Sequence, residues 1–156
     1  MSDEPAPRRF AALPEDTIWF RLATRGSAYL PKDNVLPDPL WLNPTSEDIS
    51  EGADRGREPG LSVWDRARTS VRQGQLLANK NDGEAFGMLV STCLAVGGRH
   101  GRCLALVRDP LEDQQSQTGW DGHALLEGLQ RKTGEAKLLL RDLRSELVEN
   151  LRRLED

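Results

Sequence analysis

Residues 133–155 read TGEAKLLLRDLRSELVENLRRLE, and their apolar side chains recur at steps of mostly three and four. Such steps place side chains on one face of a helix with about 3.6 residues per turn. The stripe comprises Ala136, Leu139, Leu140, Leu143, Leu147, Val148, Leu151 and Leu154. Arg141 and Glu149 fall on the opposite face. The stretch therefore predicts a long amphipathic helix over residues 134–155 that is buried against the rest of the chain or against another protein.

Short apolar runs before this helix predict the strands of a small sheet. They lie at residues 17–23, 60–64, 86–95, 102–107 and 124–126. The first is rich in β-branched and aromatic residues, with Phe20 on one face and Trp19 on the other. A glycine-rich loop joins the run at 86–95 to the run at 102–107, which predicts a hairpin. A helix over residues 84–96 is the alternative, because short apolar runs fit either structure.

A second helix is predicted at residues 66–78, with Asp65 as its N-cap. A further short helix is predicted after Thr45, because Thr45 and Asp48 have the spacing of a capping box. The fold class that follows is α+β, with a small, mainly antiparallel sheet, two principal helices and a long C-terminal amphipathic helix.

The chain has 156 residues, which suits one domain. Eight of its nine prolines lie at or before Pro59. Residues 1–14 are therefore expected to be a flexible lead-in, and residues 15–156 a single α+β domain. Residues 24–60 are mostly loop, and large apolar residues such as Trp41 are expected to pin that loop to the body of the domain.

Charge and composition exclude several classes of protein. Residues 1–60 hold 7 basic and 11 acidic residues, which accounts for the whole net charge of −4. Nucleic-acid binding is therefore not expected, because it draws on clustered cations. No apolar run has the ~20 residues of a membrane helix, and no export signal is recognised. A cytoplasmic protein with reduced Cys93 and Cys103 is expected.

His123 is the first candidate for chemistry. It follows Asp121 by two residues and lies beside Trp120, so a carboxylate could orient the imidazole as a general base. The alternative is a histidine with ordinary structural hydrogen bonds in a turn. Metal binding is not expected, because His100, His123 and the two cysteines lack the paired spacing of metal ligands. No cofactor is expected either.

Arg99, His100 and Arg102 form a cationic group in the predicted hairpin loop. Main-chain N–H groups and guanidinium groups in such a loop could bind a phosphate or another anion. The alternative is a solvated hairpin tip.

The first strand carries a polar residue, Arg21. The second carries a serine and an aromatic residue, Ser62 and Trp64, and an acidic residue, Glu127, follows an apolar run late in the chain. This order resembles that of ADP-ribosyltransferase-like folds. The resemblance implies that Arg21 holds a pyrophosphate and that Trp64 stacks on a nicotinamide. It implies that Glu127 either orients the acceptor or stabilises the oxocarbenium-like transition state. A small nucleotide-using enzyme is thus one hypothesis, and it requires these residues to meet in a pocket.

The first hypothesis is a non-catalytic protein-interaction module or accessory subunit of a multi-protein complex. Its expected contacts are Leu143, Leu147 and Leu151 of the terminal helix together with Trp41 and Trp120 of the loops. Tryptophan is enriched at the centres of protein interfaces. The partner would be another protein or a second copy of the chain.

Overall fold

The computed structural model describes residues 8–110 and 120–156, and a six-stranded sheet is its central element. The strands are β1 (Ile18–Thr24), β2 (Gly60–Asp65), β3 (Gly83–Leu89), β4 (Ala105–Arg108), β5 (His123–Glu127) and β6 (Arg152–Leu154). Their order is β4-β5-β2-β1-β3-β6, and each neighbouring pair is antiparallel. The predicted strands at 17–23, 60–64 and 124–126 are confirmed.

Four α-helices and two short 3₁₀ turns complete the described part of the chain. The helices are α1 (Ser46–Asp54), α2 (Val71–Leu77), α3 (Val90–Arg99) and α4 (Lys137–Glu149), and the 3₁₀ turns are Pro39–Leu42 and Trp120–Gly122. The predicted α+β class, with an antiparallel sheet and a C-terminal helix, is confirmed. Across the described residues, no helix combines the length and apolar character needed to cross a membrane.

The sheet buries side chains on both faces, as the alternation along β1 predicts. Trp19 and Ala23 enter a larger cluster, and Phe20 and Leu22 enter a smaller one. The larger cluster also takes in Trp41, Leu42, Phe86, Cys93, Val96, Leu140, Leu143 and Leu147. α3 and α4 therefore cover one face of the sheet, while α2 covers part of the other.

α4 is shorter than the sequence predicts. The helix ends at Glu149, where Asn150 is the C-cap and donates its N–H to the last turn. The chain then joins the sheet as β6, with Leu154 opposite Ala85. This pairing satisfies main-chain groups along the edge of β3 that would otherwise be open. The prediction of helix to residue 155 is wrong for this last segment.

The predicted hairpin between residues 86–95 and 102–107 is wrong. β3 ends at Leu89 and the chain turns directly into α3, whose buried residues Val90, Cys93, Val96 and Gly97 share one helical face. β4 pairs with β5 at the far edge of the sheet instead. The alternative of a helix over 84–96 is right in its second half. Cys93 is buried and Cys103 is exposed, and both thiols are free.

The helix after β2 begins later than predicted. Ser70, and not Asp65, is the N-cap of α2, and it forms a capping box with Gln73. Asp65 ends β2 and accepts hydrogen bonds from the Ala67 N–H at 2.8 Å and from Arg108 at 2.9 Å. The capping box of Thr45 and Asp48 at the start of α1 is confirmed.

Residues 24–60 form a structured connection and not a bare loop. They contain α1 and the first 3₁₀ turn, and Leu30 and Trp41 are buried. The Trp41 indole N–H donates to the Leu22 carbonyl at 3.0 Å. The apolar residues thus hold this connection against the sheet, as expected.

The expected lead-in at residues 1–14 lies partly outside the described residues, which begin at residue 8. Ala12 pairs with Val107, and the Leu13 N–H donates to the Leu106 carbonyl at 2.9 Å. Leu13 is buried in the larger cluster. Residues 8–13 therefore run beside β4 as part of the domain.

Candidate functional site

A cleft opens in the sheet where β1 and β2 stop pairing. β1 pairs with β3 over seven residues, but it pairs with β2 only at Trp19↔Asp65 and Phe20↔Trp64. Beyond these two pairs lies a cavity of ≈ 290 Å³. Its lining includes Arg21, Leu22, Ser62, Lys80, Trp120 and His123. The sheet is thus two three-stranded halves joined by a short seam.

Main-chain groups of both strands face this cleft. The Arg66 N–H donates to the Ile18 carbonyl at 3.0 Å, which fixes the phase of pairing between β1 and β2. Because main-chain groups of antiparallel strands point alternately to either side, those of Leu22 and Ser62 point into the cleft. The Trp41 indole takes the Leu22 carbonyl. The Ser62 N–H is thereby directed toward any group bound there.

Ser62 and His123 meet in the cleft. Ser62 Oγ lies 2.7 Å from His123 Nε2, and His123 Nδ1 lies 2.9 Å from the Asp109 main-chain carbonyl. A carbonyl oxygen only accepts, so Nδ1 carries the proton of the neutral ring and Nε2 has the free lone pair. Ser62 therefore donates its hydroxyl proton toward His123. Ser62 is exposed to solvent, while His123 is buried.

The Asp109 side chain completes a chain of three residues. Its Oδ2 lies 3.4 Å from His123 Nδ1, and its Oδ1 accepts from Arg9 Nε at 2.9 Å. Burial alone would raise the pKa of the Asp109 carboxyl, but the hydrogen bonds and charges of His123 and Arg9 hold that pKa below its ordinary value. The carboxylate is therefore ionised near neutral pH and can stabilise a positively charged imidazole.

The sheet register brings these residues together. Trp64 lies opposite His123 across β2 and β5, and their rings contact edge to face at 5.1 Å. Asp109 follows β4 directly and donates its N–H to the His123 carbonyl at 2.9 Å. A Cβ on Gly122 would lie 1.9 Å from Thr69 Oγ1. Only glycine therefore lets the chain approach Thr69 so closely just before His123.

Two cations lie at the opposite wall of the cleft. The Arg21 guanidinium lies 5.2 Å from the Trp41 ring centroid. Burial lowers the pKa of Arg21, and the charge of Asp48 opposes that shift. The pKa of Lys80 is lowered by burial and then by the charge of Arg21. The wall of the cleft opposite Ser62 therefore carries two basic side chains.

The structure brings together some of the predicted site residues but not all. Arg21, Trp64, Trp120 and His123 line the same cavity. Glu127 lies elsewhere and is held by Arg57, whose Nε and Nη2 donate to its carboxylate at 2.8 and 2.7 Å. The convergence that an ADP-ribosyltransferase-like mechanism requires is thus present for Arg21 and Trp64 and absent for Glu127.

The carboxylate beside His123 is not the one that the sequence suggested. Asp121 accepts from Arg68 Nη1 at 3.3 Å, whereas Asp109 reaches the imidazole from the end of β4. The two-residue spacing of Asp121 and His123 therefore does not bring the Asp121 carboxylate to the imidazole. Residues at positions i and i+2 of an extended chain point the same way, but the 3₁₀ turn at Trp120–Gly122 breaks that rule.

Arg99, His100 and Arg102 do not lie together in the hairpin loop that the sequence predicts. Arg99 and His100 end α3 and both contact Glu146. Arg102 is buried and donates to the Gly128 carbonyl at 3.0 Å and to Glu135 at 3.0 Å. Each cation of the group thus has an acceptor within the domain, since the hairpin loop that would have exposed them does not form.

The residues expected to contact a partner lie mostly inside the domain. Leu143 and Leu147 are fully buried, and Leu151 and Trp41 are nearly so. They pack in the larger cluster, so a partner cannot reach them in this fold. Trp120 is partly exposed at the cleft. Any docking surface on α4 must therefore use its other face.

The sequence singles out Ser62 only as a neighbour of Trp64 on the second strand, and it does not single out Asp109. The signal for Ser62 was present, because a polar residue stands at an exposed position between the buried Leu61 and Val63 of a strand. Asp109 gave no comparable signal, since Asp-Pro is an ordinary strand ending. The contact between Ser62 and His123 spans 61 positions, which no local pattern encodes.

Within residues 8–110 and 120–156, no group of three or more His, Cys, Asp or Glu side chains is placed to hold a metal ion. Comparison with known proteins gave no match to a family model, to a curated protein or to a solved structure.

Proposed function

We propose that the chain is a small serine-dependent hydrolase that acts on activated acyl groups, such as esters or thioesters. The observation that carries this proposal is the hydrogen-bonded order Ser62, His123, Asp109 at the mouth of a cleft. An exposed serine hydroxyl, an imidazole with a free lone pair and an ionised carboxylate behind it are the parts of a nucleophilic serine site.

In the first step Ser62 Oγ attacks the acyl carbonyl while His123 Nε2 takes the hydroxyl proton. The resulting tetrahedral oxyanion collapses, the bond to the leaving group breaks, and that group takes the proton from His123. Water then attacks the acyl-serine, again with His123 as the base, and releases a carboxylic acid and free Ser62. Asp109 stabilises the imidazolium in both steps.

The oxyanion needs hydrogen-bond donors beside Ser62. The Ser62 N–H is suited to this role because strand alternation directs it into the cleft, on the side where β1 no longer pairs. Preorganised main-chain donors of this kind stabilise developing negative charge without reorganisation. The widened seam of the sheet thus supplies both the substrate space and a donor.

The first prediction tests this assignment directly. A fluorophosphonate probe should label Ser62, and a 4-nitrophenyl ester should give a burst of nitrophenol equal to the protein concentration. Ser62→Ala should abolish both signals, and His123→Gln should reduce them by about 100-fold or more, because the general base is lost. Ser91→Ala, which changes an exposed serine on α3, is the matched control. Equal labelling of the wild type and Ser62→Ala would overturn the proposal.

A second candidate function is binding of another protein or of a second copy of the chain, as a non-catalytic accessory subunit in the cytoplasm. Leu40 and Leu138 are 58% and 62% exposed beside a groove of ≈ 780 Å³ along α4. Basic side chains line this groove, including Arg131, Lys137, Arg141 and Arg144. Exposed apolar residues rimmed by charges are typical of docking surfaces. The two free thiols support the reducing compartment.

Sedimentation velocity of the wild type and Leu138→Asp tests the self-association form of this second candidate. A dimer that dissociates in the variant would favour it. Monomers in both would remove self-association and leave only a different protein as partner.

A further inference from the structure

The cleft continues past Ser62 into a second cavity. This cavity has a volume of ≈ 330 Å³ and lies toward the N-terminus of α1, where Ser27, Tyr29 and Thr45 line it. Arg21, Leu22 and Lys80 line both cavities. A ligand with its reactive carbonyl at Ser62 could therefore extend past the two cations into the second space.

Arg21 has no compensating ion pair among the described residues. Its Nε atom is buried and lacks a hydrogen-bond acceptor. Asp48, the carboxylate whose charge most favours its ionised form, is already engaged by the Thr45 N–H at 2.8 Å. The guanidinium group, half-buried and packed over the Trp41 ring, therefore keeps a positive charge that no carboxylate among the described residues pairs with. Such a group is poised for an anion supplied by a ligand.

Two further observations point the same way. Arg21 and Lys80 line both cavities, and the charge of Arg21 contributes to the lowered pKa of Lys80, so an anion bound between the cavities would lie near both cations. The Trp120 indole N–H, in the lining of the first cavity, is also buried without an acceptor. The cleft therefore carries a positive charge that no carboxylate offsets among the described residues lining the two cavities.

We propose that Arg21 and Lys80 bind an oxyanion group, a carboxylate or a phosphate, carried by the substrate at the end remote from the scissile acyl bond. That the bound molecule is a substrate rests on the proposed function, whereas the binding of an anion by Arg21 and Lys80 does not. Ser62 would cleave the acyl bond in the first cavity while the anionic end of the same molecule occupies the second.

The test compares two 4-nitrophenyl esters that differ only at the far end, the butyrate and the succinate. The wild type should favour the succinate ester in kcat/KM by about ten- to a hundred-fold, as charge-assisted hydrogen bonds predict. Arg21→Gln and Lys80→Gln should each remove most of this preference, measured within each variant as the ratio of kcat/KM for the succinate ester to kcat/KM for the butyrate ester. Arg72→Gln removes an exposed positive charge on α2 and serves as control.

Equal turnover of both esters by the wild type would overturn the anion site and leave the serine mechanism standing. If neither ester reacts, binding decides. Succinate and inorganic phosphate are titrated into Ser62→Ala by calorimetry, with and without Lys80→Gln. Saturable binding that Lys80→Gln weakens at least ten-fold would support the site even though the proposed function had failed. No binding of either anion would overturn it. The stronger of the two ligands identifies the oxyanion as carboxylate or phosphate.

Discussion

The chemistry proposed for the cleft depends on the hydrogen-bond partners of the two ring nitrogens of His123. Its Nδ1 is held by a main-chain carbonyl, a partner that cannot change its protonation and so fixes the tautomer. Its Nε2 is left for Ser62. The same residue thus has the hydrogen bonds of a structural histidine and the position of a general base.

The depressed pKa of Asp109 makes a second prediction, on stability against pH. A carboxyl whose folded pKa lies below the unfolded value stabilises the fold above that unfolded value, about 4, and loses this contribution as the pH falls through the folded pKa. Asp109→Asn should lower the free energy of unfolding at pH 7 by roughly 1–3 kcal/mol and have a smaller effect at pH 2–3. Urea unfolding at both pH values measures this. An equal loss at both would show that the carboxylate charge does not contribute.

A third prediction concerns the glycine before His123. Gly122→Ala places a methyl group against Thr69 Oγ1, so residues 122–123 must shift, at a cost of about 1–3 kcal/mol. The rate of probe labelling at Ser62 should fall as well, because the imidazole moves with the chain. Gly98→Ala is the control, since its Cβ would meet nothing within 4 Å. Retained stability and labelling in Gly122→Ala would mean that the turn adapts freely.

At the scale of elements, the sequence predicted what a local pattern determines. The capping box of Thr45, the alternation along β1 and the apolar stripe of α4 each depend on neighbours in sequence, and each is confirmed. The prediction of a hairpin between residues 86–95 and 102–107 is wrong because the residues of α3 are as apolar as those of a strand. The predicted end of α4 is wrong because residues 152–154 pair with β3, a strand distant in sequence, and this pairing is favoured over continuation of the helix.

Leu138 and Leu143 provide a fourth prediction, which tests which face of α4 is buried in the domain and stabilises it. Leu143 is fully buried and Leu138 is 62% exposed. Leu143→Ala should reduce the free energy of unfolding by about 2–5 kcal/mol, whereas Leu138→Ala should change it by about 0.5 kcal/mol or less. Thermal and urea unfolding measure both. Similar losses of stability in the two variants would mean that the face of α4 that contains Leu143 is not the buried one.

At the scale of the whole molecule, the two halves of the sheet carry different residues of the proposed site. The half formed by β4, β5 and β2 carries Ser62, Asp109 and His123, while Arg21 of β1 and Lys80 lie at the other wall. The short seam between β1 and β2 opens the space between them. His123, Arg21 and Trp64 could be named from sequence as candidates, but their meeting place could not, because it depends on where two strands cease to pair.

The seam makes a fifth prediction, on amide hydrogen exchange along β2. Because main-chain groups alternate in direction, the Leu61 and Val63 amides face β5, with which β2 pairs over five residues, and should exchange slowly. The Ser62 amide faces the cleft and should exchange at least about ten-fold faster than theirs, since an open cleft gives water access to it. A boronic acid that bonds to Ser62 Oγ should slow exchange at Ser62 and leave Leu61 and Val63 unchanged, because its oxygen would accept from that N–H. Residue-resolved exchange by NMR reads all three positions. Equal protection of the three amides without ligand would mean that β1 and β2 pair along their length in solution, and the cleft and the donor assigned to it would both be lost.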